Sequence, residues 1–177
     1  MFNTALALPA LKRTGMYNAA CSEAAMWLVQ IQNADGGWGW YGGYLSDPVS
    51  TALAVSALKS LNVEGESVYR KAYGWIMSNR RETEGEAFWS FVAEPGQGIS
   101  TVTSTYTHFS TPYCISALVA LGAKNEPTGQ KAVKHLLKLQ DSSGGWPFMK
   151  RLDWFKYDMS PLPWSTGNAI SALLQFL

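Results

Sequence analysis

A nine-residue pattern occurs three times in this chain and constrains its fold more than any other feature. It reads STALAVSAL at Ser50–Leu58, STPYCISAL at Ser110–Leu118 and STGNAISAL at Ser165–Leu173. The copies begin 60 and then 55 residues apart, a spacing typical of repeat architectures. Ser and Thr can accept hydrogen bonds from the first turn of a helix. The small and aliphatic residues that follow predict a helix surrounded by protein.

Three amphipathic segments, residues 18–33, 67–80 and 129–140, alternate with these buried helices. The order predicts an all-α fold of αα-hairpin repeats, with three inner and three outer helices in a partial α/α toroid. Residues 1–15 are predicted to form an N-terminal arm, or a short helix interrupted at Pro9. Residues 81–107 are predicted to be the longest irregular segment.

The composition indicates one globular domain rather than a disordered or nucleic-acid-binding chain. Of its 177 residues, 47% are hydrophobic and 15% are charged, and the net charge is +1. This length supports a hydrophobic core, and the balanced charge predicts no nucleic-acid partner. Eight tryptophans predict an aromatic core, interface or cavity.

The cysteines and the hydropathy pattern bear on localisation. Cys21 and Cys114 lie in apolar helical patterns and are predicted to be buried free thiols in a reducing compartment. No stretch has the roughly 18 apolar residues of a membrane span, and the N-terminus lacks the features of a signal peptide. The sequence predicts a cytoplasmic protein, with peripheral membrane contact as an open alternative.

The outer helices end in a second recurring motif. The pattern Q-x-x-x-G-G-W occurs at Gln32–Trp38 and again at Gln140–Trp146, whereas the middle copy has Arg80 in place of Gln and Trp89 after a longer loop. A Gln amide can bond a free backbone group at a helix end, and a Trp ring can stack on it. Four residues are therefore predicted to be structural: Gln32, Trp38, Gln140 and Trp146.

This motif, placed after an apolar helix, resembles the QW repeat of squalene–hopene and oxidosqualene cyclases, and more broadly the prenyltransferase and squalene-oxidase repeat. The resemblance covers about residues 20–177, and the stretch 140–173 is most similar to the C-terminal part of a squalene–hopene-type cyclase. It implies an α/α toroid with an aromatic-lined cavity for an isoprenoid. Residues 1–177 would form a single domain that makes about half of such a toroid.

The chain also departs from this family at its catalytic positions. Class II cyclases protonate a double bond or epoxide with an Asp-rich motif at the start of an inner helix, where this chain has Asp47, Pro48 and Val49. The proton-donating Asp would fall on Val49. In the related protein prenyltransferases a His binds zinc at the position that Ser110 occupies here, so no metal site and no cofactor are predicted.

Three titratable residues remain as candidates for catalysis, because each shortly precedes a predicted inner helix: Asp47, His108 and Asp158. Inner-helix N-termini would open on one rim, where a carboxyl in an apolar pocket holds its proton more easily. The alternative is that the Asp residues are helix caps and that the His is a turn residue.

Aromatic side chains near the same rim could stabilise carbocations by cation–π attraction, or could simply belong to the core. The candidates for substrate binding are Trp40, Tyr106, Phe109, Tyr113 and Trp164. The charged residues at 80–86 are predicted to form a solvated loop, and His135 is predicted to lie on an outer face.

Two classes of function follow. The first is a terpenoid cyclase-like protein that binds a polyprenyl chain and promotes class II-type cation cyclisation or isomerisation. The second is a non-catalytic α/α repeat module that binds a lipid, a peptide or a protein partner, so the sequence leaves open whether the chain is an enzyme. An apolar open flank after the third inner helix predicts a homodimer or a part of a larger toroid.

Overall fold

The computed structural model of the protein describes residues 1–15, 18–93, 104–106, 110–147 and 162–176, with only the backbone described for residues 91–93 and 104–106. The described residues form seven helices, α1 Phe2–Thr14, α2 Asn18–Gln30, α3 Pro48–Ser60, α4 Glu66–Ser78, α5 Ser110–Ala120, α6 Pro127–Lys138 and α7 Pro163–Phe176. The predicted all-α fold is confirmed. The three amphipathic helices α2, α4 and α6 begin and end within three residues of their predicted bounds.

Two short antiparallel hairpins lie in the segment that was predicted to be irregular. They pair β1 Arg81–Thr83 with β2 Glu86–Phe88, and β3 Phe91–Ala93 with β4 Ser104–Tyr106. The first hairpin turns at Glu84 and Gly85, and Gly85 has a φ of 81°, which glycine adopts at no steric cost. The prediction of an irregular segment is therefore wrong for these residues.

The N-terminal residues form a continuous helix, so a helix interrupted at Pro9 is a wrong prediction. Helix α1 continues through Pro9 and ends at Gly15, whose φ is 67° and whose N–H donates to the Lys12 carbonyl. Ala5 and Leu8 are buried, and α1 packs against α2 and α3. This packing offsets the backbone hydrogen bond that Pro9 cannot donate.

Proline begins three of the seven helices in the described part of the chain. Pro48, Pro127 and Pro163 are the first residues of α3, α6 and α7. The first turn of a helix has no acceptor for its N–H groups, so a residue that lacks an N–H loses nothing there. These prolines fix where the helices start.

The described residues pack as two compact units. The first unit contains Met1–Asn79 with Ala120–Gly122, and the second contains Arg80–Val119 with Ala123–Leu177. In the first unit, α3 is the central element, because it packs against α1, α2 and α4. Ten of its thirteen residues are buried. The prediction of one single domain stays a prediction.

The second unit contains the other two nonapeptide helices, and they differ in burial. Helix α5 buries seven of its eleven residues, as predicted for an inner helix. Helix α7 buries only Ser165, Ala169 and Ala172, while Ile170 and Leu174 are 45% and 68% exposed. The nonapeptide is therefore mostly buried in α3 and α5 but mostly unburied in α7.

Two further sequence expectations can be compared with the described residues. Cys21 and Cys114 are both buried thiols outside any disulfide bond, as predicted. In the part of the chain that the structure describes, no helix combines the length and the apolar character needed to cross a membrane.

Candidate functional site

A threonine at the start of each nonapeptide helix binds the tryptophan of the preceding turn. In all three repeats the Thr Oγ1 accepts a hydrogen bond from the Trp backbone N–H. The pairs are Trp38 with Thr51 at 3.0 Å, Trp89 with Thr111 at 3.2 Å, and Trp146 with Thr166 at 3.0 Å. The two sequence motifs of each repeat are thus one structural unit, and the degenerate middle copy keeps it.

The tryptophan rings of the first and third turns are held in the same way. Trp38 Nε1 donates to the Leu28 carbonyl and Trp146 Nε1 donates to the Leu136 carbonyl, both at 2.7 Å. Trp38 and Trp89 are fully buried, and Trp146 is 5% exposed. A buried indole with a satisfied N–H is a stabilising core group.

The glutamines close the same two turns from the helix end. Gln32 Nε2 donates to the Gly36 carbonyl at 2.9 Å, and Gln140 Nε2 donates to the Gly144 carbonyl at 2.8 Å. Each glutamine therefore satisfies a backbone group within its own turn. The two turns lie 108 residues apart in the sequence and have the same hydrogen-bonded geometry.

Asp47 lies at the N-terminus of α3 with one anchored oxygen. Its Oδ1 accepts from the Ser50 N–H at 2.8 Å, and its own N–H donates to the Trp38 carbonyl at 2.9 Å. The prediction that Asp47 caps the first inner helix is confirmed. The side chain is 4% exposed, and its Oδ2 has no hydrogen-bond partner among the described residues.

Burial raises the pKa of Asp47 to about 6, although hydrogen bonds from Ser50 and Val49 act in the opposite direction. A carboxyl with this pKa is partly protonated near neutral pH, which is what a general acid requires. Val49, at the position where the resemblance places a proton donor, is a buried aliphatic residue. Among the described carboxyl groups, Asp47 therefore has a pKa suited to a general acid near neutral pH.

The predicted aromatic residues lie in different units. In the first unit, the half-buried Trp40 stacks on Phe2, with ring centroids 4.7 Å apart and planes 9° from parallel. In the second unit, the Tyr113 hydroxyl accepts from Asn168 Nδ2 at 2.8 Å, and burial raises its pKa. Trp164, also in the second unit, is 42% exposed.

The remaining candidates cannot be compared with the structure. His108, Phe109 and Asp158 lie outside the described residues, and Tyr106 is described only as a backbone position in β4. The convergence of Asp47, His108 and Asp158 on one rim stays a prediction.

An ion-pair cluster in the second unit was not predicted. The imidazole Nδ1 of His135 lies 2.9 Å from Glu86 Oε2, and Lys138 Nζ donates to Glu86 Oε1 at 2.7 Å. The ring of Phe88 stacks on His135 at 4.7 Å. Hydrogen bonds from Lys138 and His135 lower the pKa of Glu86 to about 2.

This cluster corrects two expectations. His135 is 9% exposed instead of lying on an outer face, because the first hairpin packs against α6. Glu86 is bonded to α6 rather than free in a solvated loop. The feature of the sequence that could have indicated this contact was the position of Glu86, three residues before Trp89.

A small depression in the second unit lies beside Pro112, Trp146 and Asn168. Its volume of about 10 Å³ is room for about one water molecule. Among the described residues, no group of three His, Cys, Asp or Glu side chains could hold a metal ion. An aromatic-lined cavity for an isoprenoid stays a prediction.

Comparison with known proteins gives one short similarity. No protein-family model matches the chain. A stretch of 36 residues is 56% identical to drimenyl diphosphate synthase from Streptantibioticus cattleyicolor, and the match spans 20% of this chain and 7% of that protein. The similarity is confined to a fifth of this chain and to a small part of that protein.

Proposed function

We propose that the protein binds an isoprenoid chain and promotes class II-type cation cyclisation or isomerisation, with Asp47 as the acid. The observation that carries this proposal is the Asp47 carboxyl, which has one oxygen fixed to the start of α3 and a buried second oxygen with no hydrogen-bond partner among the described residues. The short match to drimenyl diphosphate synthase supports an isoprenoid as the substrate.

The chemistry begins with the neutral form of Asp47. Its proton is transferred to a terminal double bond, whose π-electron pair forms the new C–H bond and leaves a tertiary carbocation. A second double bond then attacks this cation and closes a ring, and the loss of a proton ends the reaction. The helix N-terminus stabilises the carboxylate that forms, because its free N–H groups carry partial positive charge.

Incubation of the purified chain with squalene and with farnesyl diphosphate, followed by mass-spectrometric product analysis, tests this proposal. We expect cyclised or isomerised product from the wild type and at least a hundredfold less from Asp47→Asn, which keeps the cap but loses the acid. The rate should fall as the pH rises above about 6, because the neutral acid is depleted.

The matched control is Asp141→Asn. Asp141 also accepts a backbone N–H, from Ser143 at 2.8 Å, but hydrogen bonding from Ser143 lowers its pKa. This variant should keep full activity. Full activity in a variant that combines Asp47→Asn with Asp158→Asn would contradict the assignment of the acid.

A non-catalytic repeat module is the second candidate. The observation that favours it is that capping alone accounts for an Asp at position 47, while Val49 removes the proton donor that the resemblance implies. Calorimetric titration with farnesyl diphosphate separates the two functions. Binding without product from the wild type would support the module and contradict the enzyme.

A further inference from the structure

Two outer helices are tied to the turn of the preceding repeat by the same kind of hydrogen bond. In the first unit, Trp75 Nε1 on α4 donates to Asp35 Oδ2 at 3.0 Å. In the second unit, His135 Nδ1 on α6 lies 2.9 Å from Glu86 Oε2. Trp75 and His135 occupy the same position in the repeat, 60 residues apart, and each carboxylate stands three residues before the tryptophan of its turn.

The first turn and α4 are also in direct backbone contact. Gln32 Nε2 donates to the Val68 carbonyl at 3.0 Å, in addition to its bond within the turn. A Cβ added to Gly36 would lie 2.6 Å from the Lys71 carbonyl oxygen, so only glycine allows this approach. The first Q-x-x-x-G-G-W turn thus receives an outer helix on its open side.

Among the described residues, the third turn has no outer helix on that side. Gln140 and Gly144 are exposed, whereas Gln32 is half-buried and Gly36 is buried. Gln140 Nε2 bonds only to the Gly144 carbonyl within the described residues. Ser143 stands where the other two turns have a carboxylate, and its hydroxyl oxygen can still accept a hydrogen bond.

Helix α2 has the complementary features. Trp27 occupies the position of Trp75 and His135 in the repeat, yet it is 38% exposed, against 8% and 9% for the other two. Its indole makes no hydrogen bond within the part of the chain that the structure describes. Ala20 and Glu23, which match the α4 residues in contact with the first turn, are exposed as well.

We propose that α2 of a second copy of this chain docks on the third turn, residues Gln140–Trp146. In this contact the Trp27 indole N–H donates to the Ser143 hydroxyl oxygen, and the Gln140 amide donates to the Ala20 carbonyl. The occupant is a second copy because α2 has the position in the first repeat that α4 and α6 have in theirs, and it carries a ring N–H at the required position. A reciprocal pair uses both free edges and closes as a twofold dimer.

The first experiment restores the missing carboxylate. The Ser143 hydroxyl donates to Asp141 Oδ1 at 2.6 Å, so Ser143→Asp is made together with Asp141→Asn to avoid two facing carboxylates. This change should tighten the dimer about tenfold, because a hydrogen bond to a charged acceptor is stronger than one to a hydroxyl. Trp27→Phe removes the indole N–H and should cancel this gain when it is added to that variant. Dissociation constants from light scattering and sedimentation over a dilution series measure both effects.

The second experiment tests whether the proposed contact surface on α2 includes Trp27. Trp27→Lys should weaken the wild-type dimer at least tenfold. The matched control Met26→Lys, at an adjacent residue that is 58% exposed, should leave the dimer unchanged. Circular dichroism verifies that both variants keep their helices, since neither side chain belongs to the buried face of α2.

Two results would overturn the proposal. One is a monomer at every concentration for both the wild type and the variant that combines Ser143→Asp with Asp141→Asn. The other is a dimer whose dissociation constant does not change in Trp27→Lys. The readout is molecular mass, so the outcome is independent of whether the chain has cyclase activity.

Discussion

Asp47 is the cap of α3 and also the proposed acid, and its environment is compatible with both roles. Its Oδ1 caps α3, while its Oδ2 is buried and has no partner in the part of the chain that the structure describes. The folded-state pKa of about 6 lies above the ordinary value of 3.8, so the folded protein binds a proton at Asp47 more tightly than the unfolded chain does. The contribution of Asp47 to stability is therefore most favourable below about pH 4, and it declines as the pH rises through about 6.

At the residue scale, Asp47→Asn should remove this pH dependence. The difference in unfolding free energy between the variant and the wild type should shift by about 2 kcal/mol in favour of the variant between pH 4 and pH 7. Denaturant unfolding at a series of pH values measures it. A constant difference across this range would mean that the buried Asp47 has an ordinary pKa.

At the element scale, the recurring unit is a turn together with the helix that follows it. A threonine hydroxyl and a tryptophan backbone N–H join the two motifs in every repeat, including the degenerate middle one. The indole N–H of the first and third turns is satisfied by the outer helix of the same repeat. Each turn therefore fixes the end of one helix and the start of the next.

Replacement of Trp146 by Ala should cost about 3–5 kcal/mol of unfolding free energy, because a buried indole and its hydrogen bond are lost. Trp164→Ala, which truncates a 42% exposed ring on α7, should cost less than about 1 kcal/mol. Thermal and denaturant unfolding compare the two variants. A melting shift of only a degree or so for Trp146→Ala would contradict the structural role of this turn.

At the scale of the whole molecule, the described residues include a turn with no outer helix on its open side, residues Gln140–Trp146, and an outer helix, α2, whose Trp27 is exposed. Ile170 and Leu174 of α7 are also exposed, and exposed apolar side chains of this kind are typical of contact surfaces. The turn and α2 belong to different units of the chain, and the proposed contact joins them between two copies.

If the copies pair as proposed, the melting temperature should rise with protein concentration, because dimerisation stabilises the folded state by mass action. The rise should be larger for Ser143→Asp combined with Asp141→Asn and smaller for Trp27→Lys. Differential scanning calorimetry over a hundredfold range of concentration measures it. A melting temperature that is independent of concentration in all three proteins would argue against the dimer.

The sequence by itself determined the elements that depend on local pattern. Helical periodicity and the nonapeptide predicted the all-α fold and the burial of α3 and α5, and the Q-x-x-x-G-G-W spacing identified both turns. The capping role of Asp47 also followed from its position, because a cap bonds backbone groups only three residues away.

Only the tertiary structure decided the features that depend on residues far apart in the chain. The pairing of Glu86 with His135 joins residues 49 positions apart, and it required the first hairpin to pack on α6. The continuity of α1 through Pro9 required contacts with α2 and α3. The raised pKa of Asp47 likewise depends on what surrounds the carboxyl, because desolvation is a property of the packed protein and not of the local sequence.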